Sequence, residues 1–128
     1  MIYIVNAFSI TMLDRKTEIY HRKEHMTVER INVADVKRIL RNNPGFVSAY
    51  GHEHSARWLS RLLNTEIKVN RKCIHLLIGD AVIAASACYK THYHKEQDNE
   101  RPYFVFYLIK LLPRKNCVSP RGIPRDLS

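Results

Sequence analysis

One stretch, FVSAYGHEHSARWLSRLLN at residues 46–64, constrains the fold most, because it predicts a strand, a bend and a helix in direct succession. Residues 46–50 form a short apolar run that is typical of a strand. Gly51 supplies the bend. The helix follows, and four apolar side chains recur on its inward face at helical spacing: Ala56, Leu59, Leu62 and Leu63.

Apolar runs elsewhere predict the rest of a sheet. Residues 2–8 are rich in Ile, Val, Tyr and Phe, which favours a first strand. Residues 73–89 contain two apolar runs separated by Gly79-Asp80, a pair typical of a tight hairpin turn. Residues 103–112 supply the last strand. Together with residues 46–50 these runs predict about five strands, a usual number for one sheet.

One further helix and one charged connection complete the order of elements. The sequence INVADVKRILRNNPG predicts a helix capped by Asn32, with Asp35 in its first turn and Pro44-Gly45 at its end. Residues 14–30 are mostly charged and are expected to form a solvated connection with a short strand around residues 18–21. Strands and helices in this order predict an α/β fold, a single domain with a mixed sheet of about five strands flanked by helices.

The length and the tail set the expected domain boundaries. A chain of 128 residues that is 45% hydrophobic suffices for one compact domain, which is expected to span residues 1–112. Residues 113–128 contain three prolines and four basic residues without periodicity, and are predicted to be a disordered tail.

Charge and cysteine usage narrow the class of partner and the compartment. A formal charge of +9 favours anionic partners, with nonspecific nucleic-acid binding through the basic surface as one expectation. The three cysteines form no CxxC pair, so reduced thiols are expected. The apolar start lacks a basic leader and is too short to span a bilayer. The sequence therefore predicts a cytoplasmic protein that has no membrane partner.

The segment YGHEHS, residues 50–55, allows three interpretations. A metal site is the weakest of them, since His52 and His54 are only two residues apart at a bend. A helix cap is the favoured one, because Ser55 or the loop before it can satisfy the amides at the helix start. The third is an anion site at the bend, where His52 would face a bound phosphate.

Several motifs in this order resemble a known family. They are NAFSITML at residues 6–13, FVSAYGHEHSARWLSRLLNTEI at 46–67, VNR at 69–71 and GD at 79–80. Together they resemble the type III anti-CRISPR ring nucleases of viruses and phages, small proteins that archaeal viruses and bacterial mobile elements carry. The resemblance runs from Met1 to about Lys90.

The resemblance implies a homodimer that binds cyclic tetra-adenylate and cuts it into linear di-adenylates with 2′,3′-cyclic phosphate ends, without metal or other cofactor. Asn6 and Ser9 would contact the ligand near its backbone, Gly51 would form the bend that faces it, and Arg71 would hold phosphate. His52 would be the catalytic histidine. Histidine can protonate a departing 5′-oxygen near neutral pH, and the planar arginine side chain can bind two phosphate oxygens at once.

The sequence also departs from the family pattern, chiefly after residue 89. Lys90 lies where the family has a second catalytic-site arginine, and it would serve as a catalytic residue with a less specific geometry. The glutamate that follows in the family is absent. His54 replaces a serine or threonine, and the segment after Lys90 is shortened. The alternative function is a non-catalytic binder, either a sponge for cyclic oligonucleotides or a DNA-binding viral regulator.

Overall fold

The computed structural model describes residues 1–14, 23–90 and 100–113. Its elements follow one another as β1 (Ile2–Val5), a 3₁₀ helix (Ile10–Leu13), β2 (Met26–Ile31), α1 (Val33–Asn42), β3 (Val47–Ala49), α2 (Glu53–Leu63), β4 (Ala81–Cys88) and β5 (Tyr103–Leu111). The predicted strand around residues 18–21 and the predicted tail beyond Pro113 lie outside the described residues.

The five strands form one mixed sheet in the order β2-β5-β4-β1-β3. β1 is parallel to both of its neighbours, β3 and β4. β5 runs antiparallel to β4 on one side and to β2 on the other. The carboxyl ends of β1, β3 and β4 therefore meet at one edge of the sheet, and the predicted α/β class with about five strands is confirmed.

Both helices pack on the same face of the sheet. α1 contributes Val36 and Leu40 to this core, and α2 contributes Ala56, Leu59 and Leu63. Val36 and Leu59 are fully buried. The helices therefore flank the sheet from one side.

The opposite face of the sheet is covered by irregular chain. Ile74 and Leu76 join a second core with β-strand residues such as Val82 and Ile109, and Met12 of the 3₁₀ helix packs against it. The Leu76 amide donates to the Met12 carbonyl at 2.8 Å, which ties the two covering segments together.

The predicted hairpin at Gly79-Asp80 is wrong. A turn exists there, and Gly79 has a φ of +96°, but residues 73–77 form no strand. β4 already has β1 on one side and β5 on the other, so a preceding strand has no edge of β4 to join. Asp80 instead accepts the Leu77 amide at 2.9 Å and lies 3.3 Å from the amino group of Met1.

The charged connection predicted for residues 14–30 also needs correction, because it contains most of β2. This strand lies at an edge of the sheet, where four of its six residues are exposed. Its polar and apolar residues therefore do not alternate as a half-buried strand requires, and the charge at Glu29 and Arg30 hid it. The strand count was right although its fifth member was not the predicted one.

The two helices begin and end close to the predicted positions. Asn32 caps α1 in a capping box, in which its side chain accepts the Asp35 amide at 2.8 Å and Asp35 accepts the Asn32 amide at 3.1 Å. α2 ends at Asn64 in the left-handed conformation. Neither of these helices has the length and apolar character needed to cross a bilayer, and the described residues contain no other candidate span.

Candidate functional site

β1 and β3 end side by side, and the segments that follow them leave the sheet toward opposite faces. These strands are parallel neighbours, with Val5 paired to Ala49. After β1 the chain turns to the face covered by the 3₁₀ helix, whereas after β3 it turns to the opposite face and enters α2. A parallel sheet leaves an open crevice at such a divergence, and ligands of α/β proteins bind in crevices of this type.

Three of the predicted site residues meet in this crevice. The Asn6 side-chain oxygen accepts the Gly51 amide at 2.9 Å, and Arg71 donates from Nε to the Gly51 carbonyl at 2.9 Å. Gly51 thus connects the end of β1 to the segment that carries Arg71. A side chain at position 51 would contact both partners, since its Cβ would lie 3.4 Å from Cγ of Arg71 and 3.6 Å from Oδ1 of Asn6.

Arg71 is held in place by the segment that precedes it. The Asn70 amide donates to the Tyr50 carbonyl at 2.8 Å, and the Asn70 side chain donates to the Ser48 carbonyl at 2.8 Å. The chain before Arg71 therefore runs alongside β3. Because Arg71 uses Nε for Gly51, its two terminal NH₂ groups can bind an anion in the planar geometry of a guanidinium.

His52 occupies the N-cap position of α2 and its side chain is exposed. Its ring Nδ1 lies 2.7 Å from the Ser55 hydroxyl and 3.4 Å from the Ser55 amide nitrogen. The cap is thus His52 itself, in the loop before Ser55, while Ser55 lies inside the first turn. Since Nδ1 faces Ser55, the opposite ring nitrogen, Nε2, points away from the helix start.

Tyr50 lies directly beneath this helix start and is completely buried. Its hydroxyl donates to the Ala85 carbonyl of β4 at 2.9 Å. Burial raises the pKa of Tyr50 to about 12, a hydrogen bond with the Ser55 side chain acts to lower it, and Tyr89 acts to raise it. Tyr50 therefore stays neutral in any ordinary buffer and joins the helix start to the centre of the sheet.

Ser9 and Lys90 lie near the same sheet edge but have other contacts. The Ser9 hydroxyl caps the 3₁₀ helix, 2.8 Å from the Thr11 hydroxyl and 3.3 Å from the Thr11 amide. Lys90 follows β4, and its amide donates to the Glu100 carboxylate at 3.0 Å. The structure thus joins Asn6, Gly51 and Arg71 directly, while Ser9 and Lys90 are placed at their margin by the ends of β1 and β4.

Glu100 is a residue that sequence reasoning missed. The glutamate that follows Lys90 in the family pattern is absent from this sequence, yet Glu100 places a carboxylate at the Lys90 amide. Its backbone carbonyl also lies 3.0 Å from Nε2 of His54 in α2. No motif marks this position, because the contact joins a residue that follows β4 to a residue that precedes β5.

His54 contacts residues outside α2, whereas His52 contacts Ser55 within the first turn of α2. It is half-buried, contacts the Glu100 carbonyl and stacks on Tyr89, with ring centroids 6.1 Å apart at 27°. The Tyr89 ring therefore faces a histidine. Trp58 lies near two cations instead, with the guanidinium carbons of Arg61 and Arg101 at 5.0 and 5.5 Å from its ring.

The described residues contain no group of three or more His, Cys, Asp or Glu side chains that could hold a metal ion. A concave surface of about 540 Å³ lies at the other end of α2, lined by residues such as Lys37, Arg41, Phe46 and Leu63. Size alone therefore does not identify the candidate site. The crevice at Asn6, Gly51 and Arg71 is distinguished by its converging polar groups.

Comparisons with known proteins place these residues in a broader context. A family model described as STIV B116-like matches residues 2–96. Uncharacterized protein 26 of Sulfolobus islandicus filamentous virus is 34% identical over 84 residues, which cover 66% of this chain and 65% of that protein. Uncharacterized protein ORF117 of Acidianus two-tailed virus is 32% identical over 85 residues, covering 66% of this chain and 67% of its own length.

A solved structure shares the fold. B116 of Sulfolobus turreted icosahedral virus superposes with a TM-score of 0.61 at 20% identity, covering 85% of this chain and 97% of its own. The identity is too low to transfer more than the fold. These relatives are proteins of archaeal viruses, in agreement with the viral character that the motifs predicted.

Proposed function

Because the chain belongs to the STIV B116-like family, a family of viral proteins, we propose that it is a metal-independent ring nuclease which cleaves cyclic tetra-adenylate. The observation that carries this proposal is the joining of Asn6, Gly51 and Arg71 by two hydrogen bonds of 2.9 Å beside the exposed His52. The products are linear di-adenylates with 2′,3′-cyclic phosphate ends, so the protein would suppress type III CRISPR signalling.

Each site residue has a chemical role in this reaction. Arg71 and the amides at the start of α2 bind the scissile phosphate, because both present N–H donors and positive charge to an anion. The ribose 2′-oxygen attacks phosphorus and the bond from phosphorus to the 5′-oxygen breaks. His52 gives its proton to that leaving oxygen, while the attacking hydroxyl releases its own proton to solvent.

The position of His52 supports its role as the acid. Its ring is anchored through Nδ1 to Ser55, so Nε2 is the nitrogen directed toward solvent and toward a bound phosphate. Asn6 fixes the Gly51 amide at the end of β1, which keeps the bend from moving relative to the sheet. Positioning of this kind contributes to in-line cleavage because the attacking and leaving oxygens must lie on opposite sides of phosphorus.

One experiment tests the reaction directly. The purified protein is incubated with labelled cyclic oligoadenylates of several ring sizes in excess chelator, and the products are resolved. We expect conversion of the four-membered ring to di-adenylate with the chelator present. If the protein binds the ring without cleaving it, the nuclease proposal is refuted and the protein acts as a sponge for cyclic oligonucleotides. If cleavage stops when chelator is added, the reaction is not metal-independent.

A second candidate, nonspecific nucleic-acid binding, is favoured by the exposed basic side chains of the two helices, Lys37, Arg38, Arg41, Arg57 and Arg61. Of these, Arg38 is paired with Asp35 at 3.3 Å. Duplex binding through such a surface weakens steeply with salt, since each neutralised phosphate releases counterions. Binding of a ring in the crevice is expected to resist competition by duplex DNA.

A further inference from the structure

The Ser55 hydroxyl lies between an exposed histidine and a buried tyrosine. It is 2.7 Å from Nδ1 of His52, and Ser55 is only 2% exposed. Its other polar neighbours are the His52 carbonyl, to which it can donate at 3.4 Å, and the buried Tyr50 side chain, whose pKa the Ser55 side chain acts to lower. The hydroxyl therefore has three polar neighbours and a single proton to share among them.

The hydroxyl and the backbone amide of Ser55 determine which nitrogen of the neutral His52 ring carries the proton. The Ser55 amide can only donate, and it points to Nδ1 at 3.4 Å. The Ser55 hydroxyl, at 2.7 Å, donates to the same nitrogen. Nδ1 is then an acceptor from both groups, so the neutral ring carries its proton on the outward nitrogen, Nε2.

The same hydroxyl can also serve the protonated ring. In that state Nδ1 carries a proton and needs an acceptor, and a serine oxygen can accept once its own proton turns elsewhere. The His52 carbonyl offers that place, because the Ser55 hydroxyl can donate to it at 3.4 Å.

We propose that Ser55 is a positioning residue which holds the His52 ring in one orientation in both of its charge states, with Nε2 outward, and that the His52 carbonyl is the acceptor which allows the Ser55 hydrogen bond to reverse. This inference rests on the proposed function only for its consequence in catalysis. When the charged ring gives its Nε2 proton to the leaving oxygen, the proton on Nδ1 stays hydrogen-bonded to the Ser55 oxygen. Nε2 can then take a new proton from solvent without a turn of the ring, so the histidine is ready for the next cleavage.

The positioning itself is tested in the free protein, without any nucleotide. Nitrogen-15 correlation spectra of the histidine rings are recorded between about pH 5 and 8, the range in which histidines change charge, with His52 assigned by its loss in His52→Ala. In the wild type we expect the neutral His52 ring to exist as the Nε2–H tautomer alone. A wild-type ring that populates both tautomers overturns the proposal and needs no variant to do so.

Variants isolate the hydroxyl. Ser55→Ala removes it, and we expect the Nδ1–H tautomer to appear, whereas Ser55→Thr keeps the hydroxyl and the single tautomer. The matched control is Ser60→Ala on the same helix, which removes hydroxyl contacts to the Ala56 carbonyl at 2.7 Å and the Ile67 amide at 2.9 Å. This control should lower stability without changing the His52 tautomer; an equal change in both alanine variants would assign the effect to loosening of α2.

The catalytic consequence is measured separately, by single-turnover cleavage of cyclic tetra-adenylate. Ser55→Ala is expected to cleave about 10- to 100-fold more slowly at unchanged affinity, because the proton donor is no longer fixed in place, and Ser55→Thr to recover most of the rate. A wild-type rate in a folded Ser55→Ala variant overturns the inference while the proposed function stands. Absence of cleavage by the wild type refutes the proposed function, and the tautomer spectra still decide the positioning.

Discussion

Two histidines two residues apart differ in their surroundings, and this difference decides which one is expected to react. His52 is exposed and fixed through one ring nitrogen, whereas His54 is half-buried against Tyr89 and the Glu100 carbonyl. We expect His52→Ala to slow cleavage by about 100- to 10,000-fold, the usual effect of removing a general acid. Its affinity for the ring should be nearly that of the wild type, since Arg71 and the helix start are retained.

The matched control is His54→Ala, which should keep most of the single-turnover rate and lose stability instead. Both variants are compared with the wild type for ring binding and for release of di-adenylate. A wild-type rate in His52→Ala would remove His52 from the reaction.

Substitutions of Lys90 test whether a residue at the margin of the site takes part in the reaction. Its amide is fixed by the Glu100 carboxylate at 3.0 Å, so its side chain starts from a defined position at the end of β4. We expect Lys90→Ala to reduce the cleavage rate more than the free energy of unfolding, and Lys90→Arg to preserve or raise the rate, because arginine adds a second hydrogen bond to phosphate. Equal rates for the wild type and Lys90→Ala would show that Lys90 has no part in the reaction.

Tyr50 makes stability depend on alkaline pH. An unfolded tyrosine has a pKa near 10, and in the folded chain burial raises the pKa of Tyr50 to about 12. The folded state therefore holds the proton more tightly. The stability that neutral Tyr50 contributes is fully present below about pH 10 and is lost as the pH rises to about 12.

Denaturant unfolding as a function of pH measures this effect. Tyr50→Phe should be about 1 kcal/mol less stable near neutral pH, because the Ala85 carbonyl loses its hydrogen bond. Above pH 10 the free energy of unfolding of Tyr50→Phe should decline less steeply than that of the wild type. Both proteins contain the same other tyrosines, so the difference between the two slopes isolates Tyr50. Parallel declines would assign the alkaline transition to another group.

At the scale of elements, α2 is held by one face. Leu59 is fully buried between the helix and the sheet, whereas Leu62 is only half-buried on its margin. We expect Leu59→Ala to lower the free energy of unfolding by about 2–5 kcal/mol, the usual cost of a cavity in a core. Leu62→Ala is the matched control and should cost clearly less; equal losses from the two variants in urea unfolding would contradict this orientation of the helix.

The elements also show how far the sequence could predict this fold. Helices α1 and α2 were predicted almost to their ends, since their apolar spacing and the Asn32 cap are local signals. The hairpin at Gly79-Asp80 failed because whether an apolar run becomes a strand depends on a free sheet edge, which is a property of the whole sheet. β2 was missed for the converse reason: its pairing with β5 stabilises a strand whose own residues are largely charged or exposed.

The candidate site was predictable to a similar extent. Asn6, Gly51 and Arg71 were expected from the family motifs, and the structure joins them through two hydrogen bonds. The partners Ser55, Tyr50 and Glu100 were not assigned these roles. The contacts of Tyr50 with Ala85 and of Glu100 with Lys90 depend on how the strands are arranged, which leaves no local pattern in the sequence. The contact of Ser55 with His52 is local, but it exists because the histidine itself occupies the cap position.

At the scale of the whole molecule, residues 1–14, 23–90 and 100–113 leave one half of the sheet face opposite the helices uncovered. Val28, Tyr103 and Tyr107 are 59%, 57% and 37% exposed. Val28 pairs directly with Ile109, and Tyr103 and Tyr107 alternate with it along β5, so all three lie on the same face as the second core. Apolar side chains grouped in this way are typical of an interface.

We therefore expect a homodimer with twofold symmetry that uses this open half of the sheet face. Light scattering with and without cyclic tetra-adenylate measures the mass. Tyr107→Glu should yield a monomer, because it places a charge in a symmetric contact where it also meets its own copy. Ile10→Glu, at a 75% exposed residue of the 3₁₀ helix, is the control and should remain dimeric. A strictly monomeric wild type would refute the homodimer.

The position of β5 between β2 and β4 has a consequence for the order in which this chain acquires its structure on the ribosome. β5 lies between β2 and β4, so β2, which ends at residue 31, meets its partner only after residue 103 has been synthesised. The segments that carry Asn6, Gly51, His52 and Arg71 all leave the ribosome before β4 does, and the parallel strands around them can pair early. β5 then pairs with β2 on one side and with the open edge of β4 on the other. Premature termination before residue 103 would therefore leave these two strand edges unpaired and exposed to neighbouring nascent chains.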